Sequence, residues 1–553
     1  MLLLTQAAAQ QTNFRQQKRR IQRADISYML ISALFLTEKN DKHKEINVMK
    51  KRFISRQNTN QKITVIMYLT IFLAVAAIWM TKIIPIKSVV SDIWYLLSSG
   101  RYIVTTKSIP HINPFIQDRN RQLVIQNWLS CVIDYLIYNK HGEMGLYYFG
   151  GIVSIFIAIL TFVLIWQYTK NIRMCISLYC ISIIPLAYAM NVRAASITCC
   201  LLLIEQIILK KVYDGKNKMF LIILPVLSLF LVNFQSSYWL FLFVMTLPFL
   251  VIWYPVYTKK EIAAYYKERI PLILSLAIAF FVGFINPYRT KSMFYLVYSY
   301  GSANQGNLIA ELNHSPMHGT PFVLSLLIVI VVVLAIKSYG IKGNEYMIWF
   351  ACGIVFMVAQ SIKNVWMLPF GLLPVCGYYI NHKQIKDLGA LKVKNISWRI
   401  LFLLILMSFL WTIRTNYNNY MSVDSSVTPI KAEQYLSKYN MDEIKLFSHH
   451  IQNNYFEWME YKVYMDSRPE VYNKKLSGKE DLYATEVAVE KGMIDYQEFL
   501  EQNKFTHVIT TPNVENEGTA VLDAYMTNNK DYKLVVEGNY YKLYERVDFD
   551  DAK

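Results

Sequence analysis

Cysteine is scarce in this 553-residue sequence, and its absence from one region is informative. There are seven cysteines, none beyond Cys376, and they show neither the CxxC nor the Cys/His spacing of a zinc site. All seven lie in or beside long apolar segments. A cysteine-free C-terminal region, if exported, fits a bacterial envelope protein that does not rely on disulfides.

Residues 415–553 also lack the sequence elements of several common enzyme classes. They contain no Gly-rich phosphate loop and no nucleophile elbow, and the chain has no evident internal repeat. Short β-like runs alternate here with helical stretches, which predicts an α/β domain with a recognition or structural role. The predicted strands are 444–448, 462–465, 507–511, 534–537 and 540–544, and the predicted helices are 430–438, 496–503 and 520–527.

Long apolar runs dominate the rest of the chain. The sequence is 54% apolar with a mean hydropathy of +0.24. Eleven apolar runs of about 15–24 residues reach or come close to the length of about 17–25 residues that a helix needs to cross a bilayer. The pattern predicts a polytopic α-helical membrane domain over residues 63–414. The runs are roughly 63–86, 145–168, 174–190, 195–209, 219–233, 237–257, 270–286, 320–336, 345–361, 365–380 and 399–413.

The net charge of +18 is explained by topology better than by nucleic-acid binding. Residues 415–553 carry 24 acidic and 15 basic side chains, so the basic excess lies in the remainder. There it is concentrated in alternate loops and in the N-terminal segment, which the positive-inside rule places in the cytoplasm. Eleven spans that start from the cytoplasm leave the C-terminal domain outside the cytoplasmic membrane.

Residues 1–62 form a polar, basic segment ahead of the first apolar run. We expect it to lie in the cytoplasm. It is either a disordered arm or, up to residue 48, an extension that precedes a natural start at Met49.

The stretch 91–129 has the most informative pattern outside the apolar runs. Asp92 directly follows the first run; amphipathic residues 93–104, a Pro-bracketed turn at 109–114 and a second amphipathic run at 128–138 come after it. A carboxylate at the mouth of a bilayer suits a base or charge clamp that acts on a lipid-linked substrate. Alternatively, Asp92 only caps the helix that follows, because Asp is a common N-cap residue.

Two long outside loops, 87–142 and 287–319, and several short turns open on the same predicted face. They supply carboxylates and cations that suit a substrate with an anionic phosphate and a hydroxyl or amine acceptor. These residues are Asp92, Glu311, Arg193, Arg289 and Lys363. The alternatives are that Arg193 and Lys363 anchor helix ends at the headgroups and that Glu311 is an exposed loop charge.

Several short motifs lie in the predicted loops and in the C-terminal region. Those of the first loop are Asp92, Trp94-Tyr95, Gly100-Arg101, Ile109-Pro110 and Asn113-Pro114-Phe115. Further along the chain are Arg193 at the start of the fourth span, Asn286-Pro287-Tyr288, Glu311, and Asp466-Ser467-Arg468 with Tyr472. This series resembles a group of bacterial multi-pass membrane proteins that look like GT-C-fold glycosyltransferases, which use polyprenyl-phosphate sugars. The group's first loop reads Asp, two aromatics, Gly-Arg or Gly-Glu, Ile-Pro and then Asp-Pro-Phe, and its later motifs are an Arg at the fourth span, Asn-Pro-Tyr-Gly, a Glu-Trp pair and an Asp-x-Arg signature in the exported domain.

The sequence departs from the group's pattern at several positions. Arg289 replaces the glycine of Asn-Pro-Tyr-Gly, and Leu312 replaces the tryptophan of the Glu-Trp pair. The group's His-Glu-Trp-Leu is Gln-Asn-Trp-Leu at 126–129, and its Asn-x-His-Gly is Asn-Phe-Gln-Ser at 233–236. These changes point to altered substrate, metal use or activity.

The resemblance implies inverting transfer of a sugar from a polyprenyl-phosphate carrier to a glycan, lipid or protein acceptor on the outer face. Asp92 would be the base that takes the acceptor proton, and Glu311 a second acid or a ligand for a divalent cation, Mg²⁺ or Mn²⁺. The expected substrate-binding residues are Arg101, Arg193, Tyr288, Arg289 and Lys363.

Two other function classes stay open from the sequence. A transporter or flippase would carry charges inside its spans, where Glu205 is the clearest example, and a non-catalytic envelope scaffold would bind through the exported domain.

Other polar residues are expected to have no role in the chemistry. Pro316 interrupts the helical spacing of His314 and His318, which argues against a metal pair. We expect His449-His450 to lie at the surface, and Asp466 and Arg468 to form a structural turn or an ion pair in the exported domain.

Overall fold

The computed structural model describes part of the chain. All described residues belong to one compact unit, within Ile71–Lys553. They are residues 92–118, 120–169, 193–215, 217–252, 257–299, 345–382, 429–512, 519–538 and 540–549, with single positions between 175 and 189 and between 325 and 333. The predicted N-terminal segment, the runs 63–86 and 399–413, and Glu311, His314 and His318 lie outside this part.

The first half of the described chain is helical. The α-helices are α1 (Ile93–Thr106), α2 (Trp128–Thr169), α3 (Ala194–Tyr213), α4 (Ile223–Phe234), α5 (Trp239–Thr246), α6 (Lys259–Val282), α7 (Thr290–Met293), α8 (Tyr295–Ser299), α9 (Glu345–Gln360) and α10 (Leu368–His382). Short 3₁₀ helices cover Lys218–Ile222, Ser236–Tyr238, Leu247–Phe249 and Ile362–Met367. The amphipathic runs predicted at 93–104 and 128–138 are both helical.

Helix α2 contains two segments of different character. Gly142 interrupts it with φ 62° and ψ −158°, a conformation that glycine adopts readily because it has no Cβ. Beyond this kink, Tyr148–Thr169 is, among the described residues, the one helix long and apolar enough to cross a membrane. Shorter apolar helices cover Lys218–Phe234, Ser236–Phe249, Glu345–Ala359 and Asn364–Gly377, at four other predicted spans. The count of eleven spans stays a prediction.

Helices α1 and α2 pack at very short range. A Cβ on Gly100 would lie 2.1 Å from the backbone oxygen of Cys131, so a larger residue would push the helices apart. The glycine of the Gly-Arg motif is therefore required by packing.

Residues 429–549 form an α/β region. Its elements are α11 (Ile430–Leu436), β1 (Leu446–Phe447), α12 (His450–Trp458), α13 (Lys474–Ser477), α14 (Leu482–Glu490), α15 (Tyr496–Asn503), β2 (His507–Thr510), α16 (Ala520–Asn528), β3 (Tyr532–Glu537) and β4 (Lys542–Arg546), with 3₁₀ turns at Met441–Glu443, Pro469–Tyr472 and Val547–Phe549. The strand order is β1-β2-β4-β3. Strand β1 runs parallel to β2, and β4 is antiparallel to both β2 and β3.

The predicted elements of this region are present except for one strand. Residues 462–465 form only an isolated bridge, in which Val463 pairs with Ile116 of the first loop. Helix α12 was not predicted, because its buried face carries polar side chains such as Gln452, Asn453 and Asn454, which hide the apolar period of a helix.

The first loop and the α/β region share one hydrophobic core. Ile93 and Leu97 of α1 and Ile116 of the loop belong to the same buried cluster as Phe456 and Tyr472. The backbones also join, since Val463 N–H donates to Phe115 O at 3.1 Å and Gln117 N–H donates to Val463 O at 3.0 Å. This shared core brings the motifs of the two regions together.

Candidate functional site

Asp92 is held between two parts of the chain that are distant in sequence. Its Oδ2 lies 3.0 Å from a guanidinium nitrogen of Arg193, and its Oδ1 accepts a hydrogen bond of 3.0 Å from Ser467 Oγ. The side chains of Asp92 and Arg193 are 27% and 40% exposed. A carboxylate and a guanidinium that are both accessible can meet an acceptor hydroxyl and a phosphate.

The capping alternative for Asp92 does not agree with this geometry. Asp92 stands at the N-cap of α1, but its side chain makes no capping hydrogen bond. Both carboxylate oxygens are directed to Arg193 and Ser467 instead. Arg193 itself is the N-cap of α3, with an extended backbone.

Ser467 lies in sequence between Asp466 and Arg468, and these two residues form a buried ion pair that positions it. Arg468 donates to both oxygens of Asp466, at 2.9 and 2.6 Å, and to Ser99 Oγ of α1 at 3.2 Å. The Tyr472 hydroxyl donates to Asp466 Oδ2 at 2.7 Å. The expected structural ion pair is present, and it ties the Asp-x-Arg motif to α1.

The charge state of this ion pair follows from its partners. Burial alone would raise the pKa of Asp466, but the Arg468 guanidinium and the Tyr472 hydroxyl hold that pKa below its ordinary value. Asp466 is fully buried and Arg468 is 5% exposed, so the pair is screened very little by solvent.

Helix α12 completes the support of Ser467. Asn454 accepts a hydrogen bond from Ser467 N–H at 3.1 Å and donates through Nδ2 to Ser467 Oγ at 2.8 Å. The hydroxyl proton is then available for Asp92, because the Ser467 oxygen already accepts from Asn454.

Tyr95 lies one helical turn from Asp92, among the charged groups of the site. Its pKa is raised well above the ordinary value, first by burial and then by Asp92 and Glu470, while Arg193 and Arg468 oppose the rise. The Arg468 guanidinium also lies 4.9 Å from the centre of the Tyr95 ring. The phenol therefore stays protonated and can donate a hydrogen bond.

Glu470 is a carboxylate at this site that the sequence did not single out. Gln126 Nε2 and the Tyr295 hydroxyl donate to its Oε1 at 3.1 and 3.2 Å. In the sequence, the signal that Glu470 belongs to the site is its position two residues after the Asp466-Ser467-Arg468 motif.

The two altered motifs meet each other. Ser236 N–H donates to Gln126 O at 2.9 Å, and the Trp128 indole donates to Asn233 Oδ1 at 2.9 Å. The positions at which the chain departs from the two motifs, 126–127 and 235–236, are therefore neighbours, and Gln126 also contacts Glu470.

Arg101 and Tyr288, which were also predicted to bind substrate, contact groups other than Asp92 and Arg193. Arg101 donates to Trp458 O at 2.6 Å and pairs with Glu460 at 3.2 Å. Tyr288 is buried and donates to Pro110 O at 2.9 Å. The backbone of Lys363 lies in the 3₁₀ helix Ile362–Met367.

Tyr288 and Arg289 line a recess of about 550 Å³ with His111, Gln122 and Lys291, to which Asp92 and Arg193 do not contribute. Arg289 has φ 49° and ψ −121°, a backbone conformation that favours glycine. This explains why the related motif has glycine here.

A second group of polar residues in the α/β region could hold a metal ion. His449, His450, Glu486 and Glu490 each offer one ligand atom, and these atoms all lie within 4.8 Å of one another. The expectation that His449-His450 lies at the surface is wrong, since His449 is 7% exposed. His449 is the N-cap residue of α12 and His450 its first residue, and Glu490 and Glu486 of α14 pack against them.

Comparisons with known proteins give matches among solved structures only. No family model matches the chain, and no curated protein matches it. The chain is similar to an Archaeoglobus fulgidus oligosaccharyltransferase tethered to an acceptor peptide, with 10% identity, a TM-score of 0.43, and coverage of 80% of this chain and 69% of the other. It is also similar to ArnT from Cupriavidus metallidurans in the apo state, with 11% identity, a TM-score of 0.42, and coverage of 87% and 98%.

Both matches have TM-scores below 0.5, and the chemistry of this chain is therefore inferred from its own residues.

Proposed function

We propose that this chain is a membrane glycosyltransferase that moves a sugar from a polyprenyl-phosphate donor to an acceptor on the outer face of the cytoplasmic membrane. The observation that carries the proposal is the accessible carboxylate of Asp92 between Arg193 and Ser467. In the proposed topology the N-terminus lies in the cytoplasm and residues 415–553 lie outside. The acceptor is a glycan, a lipid or a protein.

In the proposed reaction the acceptor hydroxyl attacks C1 of the sugar while the bond from C1 to the phosphate oxygen breaks. Polyprenyl phosphate leaves with that electron pair, the configuration at C1 inverts, and Asp92 takes the acceptor proton. Arg193 holds the departing phosphate, because a guanidinium can donate two parallel hydrogen bonds to it.

The contact between Arg193 and Asp92 gives this site a resting state. While Arg193 pairs with Asp92, the guanidinium occupies one of the two carboxylate oxygens. A donor phosphate that draws Arg193 away would free one Asp92 oxygen for the acceptor, while the other oxygen stays oriented by Ser467. Donor binding would thus precede activation of the base.

The test is transfer of label from radiolabelled polyprenyl-phosphate sugars in membranes that contain wild type or Asp92→Asn. Loss of a general base lowers turnover by about 10²–10⁴-fold, so we expect at least a hundredfold loss with normal expression. Asp118→Asn is the matched control, because Asp118 is a carboxylate of the same loop that pairs with Lys479 of the α/β region. Asp118→Asn should retain transfer.

Equal transfer by wild type and Asp92→Asn would remove Asp92 from the mechanism. No transfer from either protein with a panel of common donors would favour the alternatives, a non-catalytic scaffold or a transporter of lipid-linked substrate. The proposal that Glu311 holds Mg²⁺ or Mn²⁺ predicts that EDTA inhibits transfer in wild type and that either ion restores it.

A further inference from the structure

The four residues of the possible metal group come from two elements of the α/β region. His449 is the N-cap residue of α12, and His450 is its first residue. Glu486 and Glu490 lie four positions apart on α14 and therefore face the same side of that helix. The group shares no residue with the site at Asp92, and the proposed metal binding does not require glycosyl transfer.

The contacts within the group leave oxygen and nitrogen atoms without hydrogen bonds. His449 Nε2 lies 2.9 Å from Glu490 Oε1, and His450 Nδ1 lies 3.1 Å from Glu486 Oε2. Yet His450 Nδ1, Glu486 Oε2 and Glu490 Oε1 are buried without a hydrogen-bond partner of good geometry. Buried polar atoms of this kind are costly unless something satisfies them.

Glu486 is already oriented as a metal ligand would be. Its side chain is fully buried, and its Oε1 accepts a hydrogen bond of 2.7 Å from His450 N–H. This leaves Oε2 as the oxygen that faces the group. Hydrogen bonds to the far side of a ligand fix its orientation at protein metal sites.

The donor set matches a divalent transition metal. Two neutral imidazoles and two carboxylates carry two negative charges in sum, which one divalent cation balances. Imidazole nitrogen binds Zn²⁺ and similar transition metals in preference to Mg²⁺. A tetrahedral zinc site with bonds of about 2.0–2.2 Å places its ligand atoms roughly 3.4 Å apart. This separation lies between the 2.9 Å contact of His449 with Glu490 and the 4.8 Å within which all four ligand atoms lie.

Metal binding would change one existing contact. Ile451 N–H donates to His449 Nδ1 at 3.4 Å. A neutral imidazole that binds a metal through Nε2 carries its proton on Nδ1, so this long capping bond would be given up. The cost is small, because the first N–H groups of a helix are readily solvated.

We propose that His449, His450, Glu486 and Glu490 bind one divalent transition-metal ion, such as Zn²⁺, that joins the start of α12 to α14. Four protein ligands and no open position are typical of a structural site. Helix α12 carries Asn454, which holds Ser467, so the ion would also steady the segment that contacts Asp92.

The test is metal binding by the full-length protein in detergent, with no sugar substrate present. After removal of metal with a chelator and exchange into chelator-free buffer, we expect one equivalent of Zn²⁺ per chain by elemental analysis once zinc is added back and the excess is removed. We also expect a rise of several degrees in Tm when zinc is added, because an ion that binds only the folded state stabilises it. Co²⁺ in place of zinc should show the visible absorption of a tetrahedral site with nitrogen ligands.

Two variants keep the test independent of folding. Glu490→Gln changes a side chain that is 17% exposed, so it should fold and yet lose the equivalent of zinc, the Tm shift and the cobalt spectrum. Glu501→Gln, an exposed change in α15, should retain all three. Absence of zinc from wild type, or the same zinc content in wild type and Glu490→Gln, would overturn the proposal.

Discussion

Ser467 Oγ donates a hydrogen bond of 3.0 Å to Asp92 Oδ1 across 375 positions of sequence. This bond joins the Asp-x-Arg motif of the α/β region to the first residue of the loop motif. Two patterns that are separate in the sequence are therefore parts of one site.

Arg193 and Arg101 are expected to differ in role, although both were predicted to bind substrate. Arg193→Lys keeps the charge but loses bidentate geometry, so the donor KM should rise about tenfold, while Tm stays near that of wild type. Arg101→Lys should lower Tm without changing the donor KM, because Arg101 contacts Trp458 and Glu460. Initial rates at varied donor concentration check both, and an unchanged KM in Arg193→Lys would contradict a phosphate contact.

Asp466→Asn is expected to destabilise the protein strongly. It removes one charge of a buried pair and leaves Glu457 Oε1, at 3.7 Å, as the remaining carboxylate beside Arg468. Breaking such a buried pair costs about 3–5 kcal/mol. The matched control is Asp548→Asn, since Asp548 pairs with Arg546 at the surface and such pairs contribute about 0–1 kcal/mol. Thermal unfolding of the two variants should differ clearly, and similar Tm values would mean that the buried pair contributes little.

Arg289→Gly is expected to stabilise the fold. Arg289 adopts a positive φ that costs a non-glycine residue about 1–3 kcal/mol, and glycine removes that strain. Arg289→Ala keeps the backbone strain while it removes the side chain, so it should not gain in Tm. A gain in both variants would assign the effect to the lost charge.

Asp134 should make stability depend on pH. Burial raises its pKa to about 7, although a hydrogen bond from Ser130 opposes the rise. The folded protein therefore holds a proton that the unfolded chain releases above its ordinary pKa near 4. The stability that the protonated Asp134 contributes to the folded state is present in full below about pH 4 and is lost as pH rises towards 7.

Asp134→Asn should remove this dependence, so its Tm should exceed that of wild type above pH 7 and approach it near pH 4. Thermal unfolding from pH 4.5 to 8.5 measures the difference, which should be on the order of a few kcal/mol at the alkaline end. Parallel curves for the two proteins would show that Asp134 is already ionised in the folded state.

Much of the local structure could be predicted from the sequence, because periodicity and turn residues act over a few positions. Residues 93–104 and 128–138 are helical as expected, and the strands at 507–510 and 542–546 lie near their predicted places. The structural pairing of Asp466 with Arg468 was also expected, since an Asp-x-Arg segment lets the two side chains reach each other.

The sequence by itself determined where the apolar runs lie, that Asp92 follows the first of them, and that the last part of the chain is an α/β region. Only the tertiary structure decided that Asp92 contacts Arg193 and Ser467, that Glu470 belongs beside Gln126, and that His449 is buried against Glu490. The physical reason is that these contacts join residues from different elements. They depend on the shared core of α1, the first loop and α12, whose geometry no local pattern of residues encodes.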